Sequence, residues 1–321
     1  MPDRLNSLVF SLLEQLMNRQ AQRSSPVRRL IVAYSGGLDS SVLLHLLHAF
    51  VNGLAESEKR PLLLALHVNH NLQVQSSLWA EHCTKQAEKY GLTVHVMNAV
   101  VKKNGGQSPE EAAREARYQL FEQFVKEGDV LCLAHHQDDQ AETLLLRLLR
   151  GSGPLGLSAM REQSTLASAM LLRPLLAVSR DRLADYALKH HLSWIDDPSN
   201  QNLRFDRNYL RHEIVPRLKS RWPGVNKTLF RVTEINQATV TLLDEVAEQD
   251  FRSVGLGQAL NIAALQAFSE HRLDNLLRYW LQKQGATLPS RHNLQRIRNE
   301  LLRFQKGGEA LVRWPGADVR A

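Results

Sequence analysis

The residues best suited to bind or react with a ligand form a short polar loop directly after the apolar run 29–34. This loop reads Ser35-Gly36-Gly37-Leu38-Asp39-Ser40-Ser41. A turn between a strand and a helix points several backbone N–H groups at one place, and the helix N-terminus adds a partial positive charge. Such a corner binds anions, and phosphate in particular. The two glycines allow a ligand to approach the backbone closely, and the serines add hydroxyl donors. The loop therefore predicts a phosphate-binding corner.

This loop differs from the two commonest phosphate motifs. It lacks the pattern GxxxxGK(S/T), so no lysine reaches the outer phosphates, and it lacks the GxGxxG of dinucleotide-binding folds. Asp39 brings a negative charge to an anion site, which fits if a divalent cation lies between the carboxylate and the phosphates. The alternative is a tight strand-to-helix turn in which Asp39 caps the helix. The complete string after an apolar strand favours phosphate.

A second polar group stands at the start of a helix that we predict over 137–150. Asp139 and Glu142 are three residues apart and share a helix face, and His136 precedes Asp139 by three. The helix follows the carboxyl end of a strand, where open α/β sheets bind ligands. Two carboxylates that face phosphates need a counter-charge, so we expect Mg²⁺ held by Asp139 and Asp39. The alternative is a solvated acidic first turn that favours the helix dipole.

Arginines form two further groups. Arg147 and Arg150 end the same helix before a glycine, where they act either as cations near a helix C-terminus or as substrate contacts. Arg204, Arg207 and Arg211 follow helical spacing, which predicts one basic stripe. Such a stripe is either a solvated face or a bidentate clamp for phosphate, which lysine cannot provide.

The histidines and cysteines indicate no structural metal centre. His67 and His70 lie at the end of one predicted strand, and His135 and His136 lie at the end of a neighbouring one, but no cysteine or acidic triad completes a zinc set. We therefore expect His67 and His70 to shape the ligand pocket. The chain has two cysteines and no CxxC, which excludes a disulfide framework and fits a reducing cytoplasm.

The elements that must position these groups alternate along the first half of the chain. Apolar runs at 29–34, 62–68, 93–100 and 130–134 are separated by helical patterns, which indicates βαβ units around a parallel sheet with both faces covered. After residue 200 the pattern becomes helical, with an arginine-rich helix within 200–219 and a break at Trp222-Pro223-Gly224. We place a domain boundary there, between 1–222 and 223–321. The predicted helices that follow are 226–250, 260–267, 270–284 and 291–304, and 310–314 reads as a strand whose partner is missing.

Length and composition agree with two globular domains. The chain has 321 residues, and roughly 150 residues per domain is typical. The 43% hydrophobic and 23% charged residues exclude disorder as a description of the whole chain. No apolar run approaches the roughly 18 residues of a membrane span, so we expect a cytoplasmic protein without a membrane partner. The net charge of +7 permits a nucleic-acid partner without requiring one.

The loop resembles the pyrophosphate loop of PP-loop ATP pyrophosphatases, which adenylate a carbonyl oxygen. Further segments occur in an order that is similar to the tRNA(Ile)-lysidine synthetase (TilS) family, and together they cover about the first 220 residues. These segments are His67-Val68-Asn69-His70, Ala113-Arg114-Glu115-Ala116-Arg117-Tyr118, His136-Gln137-Asp138-Asp139-Gln140-Ala141-Glu142, Arg150-Gly151-Ser152-Gly153 and Arg207-Asn208-Tyr209-Leu210-Arg211. The resemblance implies an α/β fold with a Rossmann-like parallel sheet (adenine nucleotide alpha hydrolase-like), followed by a mainly α-helical domain.

The resemblance also implies a reaction and its participants. The expected enzyme is a ligase that uses ATP and Mg²⁺, adenylates the wobble cytidine of the CAU-anticodon isoleucine tRNA and attaches L-lysine, releasing AMP and pyrophosphate. It further implies a homodimer. Longer bacterial members continue into a further C-terminal domain that we expect to be absent here, because the sequence stops at Ala321, where either the natural protein ends or the sequence is truncated.

Site residues carry over position by position. The implied catalytic residues are Asp139, Glu142, Arg207 and Arg211, and the implied ATP-binding residues are Ser35, Gly36, Gly37, Leu38, Asp39 and Ser40. The lysine or nucleotide pocket is expected to contain His67, His70, Arg114, Arg117 and His136. The expected tRNA contacts are Arg147, Arg150, Arg204, Arg291 and Arg298, with a solvated amphipathic helix as the alternative for the last two.

Two other functions stay open from the sequence. One is a different ATP-dependent tRNA-base enzyme of the same superfamily, such as a thiolase, although Cys83 and Cys132 are poorly arranged for sulfur delivery. The other is a non-catalytic tRNA-binding module that keeps only a nucleotide switch.

Overall fold

The computed structural model describes residues 4–22, 26–55, 60–69, 76–101, 109–302 and 311–320. The chain divides into two compact units, residues 1–234 and residues 235–321. This division falls within a helix, Val225–Val254, whereas the boundary at 222/223 stays a prediction about domains.

A six-stranded sheet forms the centre of the first unit. Its strands are β1 (Arg29–Ala33), β2 (Leu62–Asn69), β3 (Val94–Asn98), β4 (Asp129–Cys132), β5 (Gln163–Leu166) and β6 (Ala169–Leu172). The spatial order is β3-β2-β1-β4-β6-β5, and every neighbouring pair is parallel except β5 and β6. The chain moves outward from β1 to β3 and then returns to β4 on the other side of β1. That reversal opens a crevice at the carboxyl ends of β1 and β4, and the predicted parallel sheet is confirmed.

Helices cover both faces of this sheet. They are α1 (Arg4–Gln22), α2 (Leu38–Gly53), α3 (Ser76–Glu88), α4 (Pro109–Phe124) and α5 (Gln137–Leu149). Alternate residues of β1 point to opposite faces, so Leu30 and Val32 join the core beneath α1 and α2, while Ile31 joins the core that contains Phe121 of α4. Burial on both faces explains why these strands are continuous apolar runs.

The helical spacing of Leu5, Leu8, Leu12 and Leu16 predicts an N-terminal helix with these leucines on one face. The helix α1 is present, but its buried residues are Leu5, Val9, Leu13 and Leu16, and Leu8 is 43% exposed. Spacings of three and four residues are both compatible with one helical face. The positions of the leucines alone therefore do not determine which residues of α1 face the core.

The hairpin of β5 and β6 was not predicted from the sequence. Both strands have only four residues, and β5 reads Gln-Ser-Thr-Leu, which is not an apolar run. The turn between them contains Ala167 with φ of 49°, where a glycine or asparagine would have signalled the reversal.

The segment after the sheet carries shorter elements. These are α6 (Pro154–Leu157), α7 (Arg180–Lys189), a 3₁₀ turn (Pro198–Gln201), α8 (Asp206–Tyr209), a π-helical turn (Leu210–Ile214) and α9 (Val215–Arg221). The expected arginine-rich helix therefore begins only at Asp206, and the prediction that Arg204 extends its basic stripe is wrong. Arg204 lies between the 3₁₀ turn, which ends at Gln201, and α8, and Asn202 Oδ1 accepts a hydrogen bond from the Arg204 backbone N–H at 3.1 Å.

The second unit is mainly helical, as expected. It includes the later part of α10 (Val225–Val254), followed by β7 (Gly255–Leu256), β8 (Ala259–Leu260), α11 (Ile262–Leu265), α12 (Glu270–Lys283), α13 (Arg291–Arg296, continued by the π-helical Ile297–Leu302), β9 (Leu311–Trp314) and β10 (Ala317–Arg320). The expectation that the last strand lacks a partner is wrong, because β10 pairs with β9 in antiparallel fashion. Val319 is the only buried residue of β10, so its sequence carries too few apolar positions to indicate a strand.

Within the described ranges, no helix is long and apolar enough to cross a membrane.

Candidate functional site

The predicted phosphate corner lies where β1 ends and α2 begins. Gly36 has φ of +82°, in the left-handed region that favours glycine, and a Cβ at this position would lie 2.8 Å from Cys83 Sγ. Gly37 is the N-cap of α2, and its backbone is extended. The sequence therefore places glycine where the backbone turns and where a neighbouring side chain leaves no room.

Serine hydroxyls fix the shape of this corner from inside. Ser40 Oγ accepts a hydrogen bond from the Ser35 backbone N–H at 3.3 Å and donates one to the Gly37 carbonyl at 3.0 Å. Ser35 Oγ accepts from the Gly37 N–H at 3.3 Å, and Ile195 N–H donates to the Gly36 carbonyl at 2.9 Å. The serines thus hold the loop in place, which leaves the helix N-terminus as the donor group that faces a ligand.

A cavity of about 530 Å³ opens at this corner. Its wall includes the loop, the ends of β2 and β4, α4 and the segment 195–200. Three residues of the wall keep a buried polar atom without a hydrogen-bond partner in the described structure: Asp39 Oδ1, Arg117 Nε and His135 Nδ1. Because buried polar atoms are nearly always paired in native proteins, these three atoms indicate where a ligand or water completes the site.

Beside the cavity, two carboxylates and two guanidinium groups form a closed network. Arg207 donates from Nε to Glu142 Oε2 at 2.7 Å and from Nη2 to Asp139 Oδ1 at 2.9 Å. Arg211 donates from Nε to Glu142 Oε1 at 2.7 Å, and its Nη2 lies 2.9 Å from Glu142 Oε2 and 3.1 Å from Asp139 Oδ1. The structure thus brings together all four predicted catalytic residues, and the two carboxylates are neutralised by arginine.

In this network, the opposite charges stabilise the ionised forms of Asp139 and Arg207. Burial alone would raise the pKa of Asp139, but His136 and Arg207 outweigh it and hold that pKa well below its usual range. Burial would lower the pKa of Arg207, whereas Asp139 and Glu142 raise it above its ordinary value. Asp139 therefore stays ionised at neutral pH, and it is suited to holding a positive charge rather than to accepting a proton.

His136 links the network to the phosphate corner. Its backbone N–H donates to Asp139 Oδ2 at 3.0 Å, and its Nδ1 accepts from the Asp139 N–H at 3.4 Å, which forms a capping box at the start of α5. Its Nε2 lies 3.5 Å from both Asp39 Oδ2 and Asp139 Oδ2. Burial would lower the pKa of His136, but Asp139 and Asp39 together raise it.

The same geometry fits the expected magnesium ion. Asp39 and Asp139 converge on one imidazole nitrogen at the corner, and Asp39 keeps an unpaired oxygen. Mg²⁺ in phosphate sites is held by one or two carboxylates together with substrate phosphates and water. No cluster of three or more His, Cys, Asp or Glu side chains that could bind a metal on its own occurs in the part of the chain that the structure describes.

The structure places the other residues predicted for the pocket in different environments. His67 lies at the end of β2, where its Nδ1 is 2.9 Å from the Tyr34 carbonyl, and it lines the cavity together with Arg117. Arg114 is exposed and packs on the Tyr118 ring, with 4.8 Å between its guanidinium carbon and the ring centre. His70 lies outside the described residues.

The expected tRNA contacts stay predictions, and the structure gives three of them other partners. Arg150 Nη1 lies 3.6 Å from Glu111 Oε1. Arg147 Nη1 donates to the carbonyls of Gly156 and Ala159, at 2.8 and 3.0 Å. In the second unit, Arg298 pairs with Asp274 at 3.0 Å and its side chain is 19% exposed. Three arginines of the group are exposed: Arg150, Arg204 and Arg291.

The sequence reading missed the segment 195–200, which forms one wall of the cavity. Ile195 contacts the corner through its backbone, and Asp197 caps the 3₁₀ turn by accepting from the Ser199 N–H at 2.8 Å. Asn208 then donates to the carbonyls of Ser199 and Asn202, each at 3.0 Å, which ties this wall to α8. The run Asp-Asp-Pro-Ser-Asn marks a turn by its composition, and that signal was available in the sequence.

Comparisons with known proteins agree with this geometry. A PP-loop domain family matches residues 10–218, and a family described as the TilS substrate binding domain matches residues 260–321. The tRNA(Ile)-lysidine synthase of Alkalilimnicola ehrlichii is 41% identical over 92% of this chain and 65% of that protein. The corresponding enzyme of Pectobacterium atrosepticum is 41% identical over 96% of this chain and 69% of its own length. For the Pseudomonas putida enzyme the identity is 43%, over 81% of this chain and 62% of the relative.

These curated relatives are longer than the chain, which spans 62 to 69% of their lengths. Among solved structures, the U34-tRNA thiolase NcsA from Methanococcus maripaludis superposes with a TM-score of 0.55 at 16% identity, over 70% of this chain and 78% of that one. At that identity the likeness shows a shared fold and nothing about chemistry.

Proposed function

Because the chain belongs to the tRNA(Ile)-lysidine synthase family, we propose that it is an ATP-dependent ligase of tRNA modification. Its reaction would adenylate the wobble cytidine of the CAU-anticodon isoleucine tRNA and then join free L-lysine to that base. The products would be the lysidine-containing tRNA, AMP and pyrophosphate.

In the first step the corner would hold the β- and γ-phosphates of ATP. The N-terminus of α2 offers backbone donors there, and Gly36 allows the positive φ at which the loop turns toward that helix. The α-phosphate would then face the carbonyl oxygen at C2 of cytidine. This oxygen attacks phosphorus, the bond to the β-phosphate breaks, and pyrophosphate leaves. Mg²⁺ bound through Asp39 and Asp139 would supply charge neutralisation at the phosphates.

In the second step the lysine side-chain amine would attack the activated carbon. A C–N bond forms, the C–O bond to AMP breaks, and the amine loses a proton. A free lysine amine has a pKa of about 10.4, so the site must first bind its ammonium form and then remove the proton. Asp139 is suited to the binding, since its own pKa is depressed, and this leaves Glu142 as the candidate that accepts the proton.

Sulfur transfer is less well supported than lysine attachment. Cys83 and Cys132 are both buried, and burial raises the pKa of each thiol to about 12. The thiolate is the reactive form of cysteine, so neither residue is suited to deliver sulfur. Lysine attachment, by contrast, needs no cysteine, because its nucleophile is the side-chain amine of the second substrate.

The observation that carries the proposal is the pairing of Asp139 and Glu142 with Arg207 and Arg211 directly beside the phosphate corner. The remaining expectations, a homodimer and a cytoplasmic location, stay predictions.

The proposal is tested by release of AMP from labelled ATP in the presence of the isoleucine tRNA transcript, with and without lysine. We expect AMP to be released only when labelled lysine is incorporated into the tRNA. A transcript with uridine at the wobble position should support neither AMP release nor lysine incorporation. Sulfide-dependent release, or lysine that never enters the tRNA, would contradict the proposal.

A further inference from the structure

We propose that Asp138 is a positioning residue that sets the place of Arg207 and Arg211 over the two carboxylates of the site. The inference rests on the proposed function, because it assigns a role in lysine use to a residue that binds neither the corner nor the four members of the network, although its Oδ2 lies 4.0 Å from His136 Nδ1.

One carboxylate joins three elements of the first unit. Asp138 Oδ1 accepts hydrogen bonds from Lys219 Nζ at 2.6 Å and from Asn226 Nδ2 at 2.7 Å, while its Oδ2 accepts from the Arg180 N–H at 3.0 Å. These donors belong to α9, to the start of α10 and to the first residue of α7. The side chain is 13% exposed, so the contacts are shielded from solvent.

Asp138 and Asp139 are neighbours in sequence but face different partners. Consecutive residues of an α-helix are rotated by about 100°, so the first turn of α5 presents its two carboxylates to different sides. Asp139 closes the capping box and faces the arginines, whereas Asp138 faces the ends of three other helices.

The segment 206–221 is consequently attached to α5 at both of its ends. Arg207 and Arg211 bind Asp139 and Glu142 near its beginning, and Lys219 binds Asp138 near its end. In a regular α-helix, Lys219 would lie about 80° around the axis from Arg211. The π-helical turn Leu210–Ile214 rotates less per residue, which returns Lys219 toward the face of the two arginines. All three cations then reach the first two turns of α5.

The two adjacent carboxylates therefore have different roles: Asp139 binds the arginines, and Asp138 fixes the end of the segment 206–221. Without Asp138, the end of the segment 206–221 has no charged partner on α5. The guanidinium groups of Arg207 and Arg211 are then no longer held where they contact both carboxylates of the site. The phosphate corner has its own internal hydrogen bonds and does not depend on this contact.

The test uses two variants and one matched control. Asp138→Asn keeps the shape of the side chain. Both oxygens of Asp138 accept hydrogen bonds, so in either orientation the amide NH₂ group faces at least one of the three donors. Lys219→Met removes the partner charge and leaves Asp138 in place. Asp185→Asn, an exposed aspartate on α7, is the control. We expect both variants to raise the KM for lysine about tenfold and to leave the Kd for ATP within about twofold, with the control unchanged.

Either of two outcomes would overturn the inference. One is that both variants behave like Asp185→Asn. The other is that ATP affinity falls in step with lysine affinity, which would indicate a general role in folding rather than placement of the arginines. If Asp138→Asn fails to fold, Lys219→Met decides the same question.

A second readout does not depend on the proposed function. Hydrogen exchange of the free protein should become faster in peptides from 206–221 in Lys219→Met, while peptides from 35–53 keep their wild-type rates. If the wild-type chain attaches no lysine, the proposed function fails while this measurement still decides the role of Asp138. Unchanged exchange in 206–221 would contradict that role.

Discussion

Arg211 binds Glu142 through two parallel hydrogen bonds, Nε to Oε1 at 2.7 Å and Nη2 to Oε2 at 2.9 Å. This two-point contact uses the planar fork of the guanidinium group, which a lysine cannot reproduce. Glu142 is buried, so its charge depends on these partners.

Removal of the Arg211 fork should destabilise the first unit. Arg211→Met leaves Glu142 with Arg207 alone, and we expect the free energy of unfolding to fall by about 2 kcal/mol, less than the loss for a fully buried and unpartnered charge. Urea denaturation measures this. The control is Arg217→Met, whose exposed pair with Glu213 spans 3.5 Å and should contribute less than about 0.5 kcal/mol. Equal losses in the two variants would contradict the importance of the buried pair.

A methyl group at Gly36 should abolish tight ATP binding. The alanine Cβ would meet Cys83 Sγ at 2.8 Å, and the φ of +82° adds roughly 1 kcal/mol of backbone strain. Calorimetric titration with ATP should show at least a tenfold weaker Kd for Gly36→Ala. Gly53→Ala, where the new Cβ has no neighbour within 4 Å, should bind like wild type.

A double variant separates the two causes. Gly36→Ala combined with Cys83→Ala removes the clash but keeps the strained φ, so part of the lost affinity should return. If the single variant binds ATP normally, the corner does not hold the phosphates.

Much of the sheet was predictable because each of the strands β1, β2 and β4 is a continuous apolar run followed by polar residues. The site was predictable in part: the spacing of Asp139 and Glu142 placed them on one helix face. Their partnership with Arg207 and Arg211 was not, because these residues lie 65 to 72 positions away and Arg211 lies in a π-helical turn. Sequence periodicity assumes a constant rotation per residue, and a π turn changes it.

The stability of the protein should decrease as the pH falls below 6.5, partly through His67. Burial lowers the pKa of His67, although its hydrogen bond to the Tyr34 carbonyl opposes this effect. The unfolded state then binds more protons between pH 6.5 and the folded pKa, so this contribution is complete above 6.5 and is lost as the pH falls. The slope is at most about 1.4 kcal/mol per pH unit for one group.

The variant His67→Asn tests that contribution, because its amide can still donate to Tyr34 but does not titrate. The difference in unfolding free energy between wild type and variant should shrink from pH 7 to pH 5. A constant difference over that range would show that His67 does not carry the effect.

Magnesium should matter to ATP binding through Asp39. Asp39 Oδ1 lacks a hydrogen-bond partner in the described structure, as expected of a ligand for a cation. Removal of Mg²⁺ with EDTA should weaken ATP binding to the wild-type chain about tenfold or more. Asp39→Asn should bind ATP weakly and respond little to Mg²⁺, whereas Asp181→Asn, on the exposed first turn of α7, should match wild type. An unchanged magnesium response in Asp39→Asn would remove Asp39 from the metal site.

The most direct measurement is a crystal structure of the chain with ATP and magnesium. We predict that the β- and γ-phosphates lie at Gly36, Gly37 and the first turn of α2, with the α-phosphate facing the cavity beside Asp139. A nucleotide bound elsewhere, with this corner empty, would contradict this prediction.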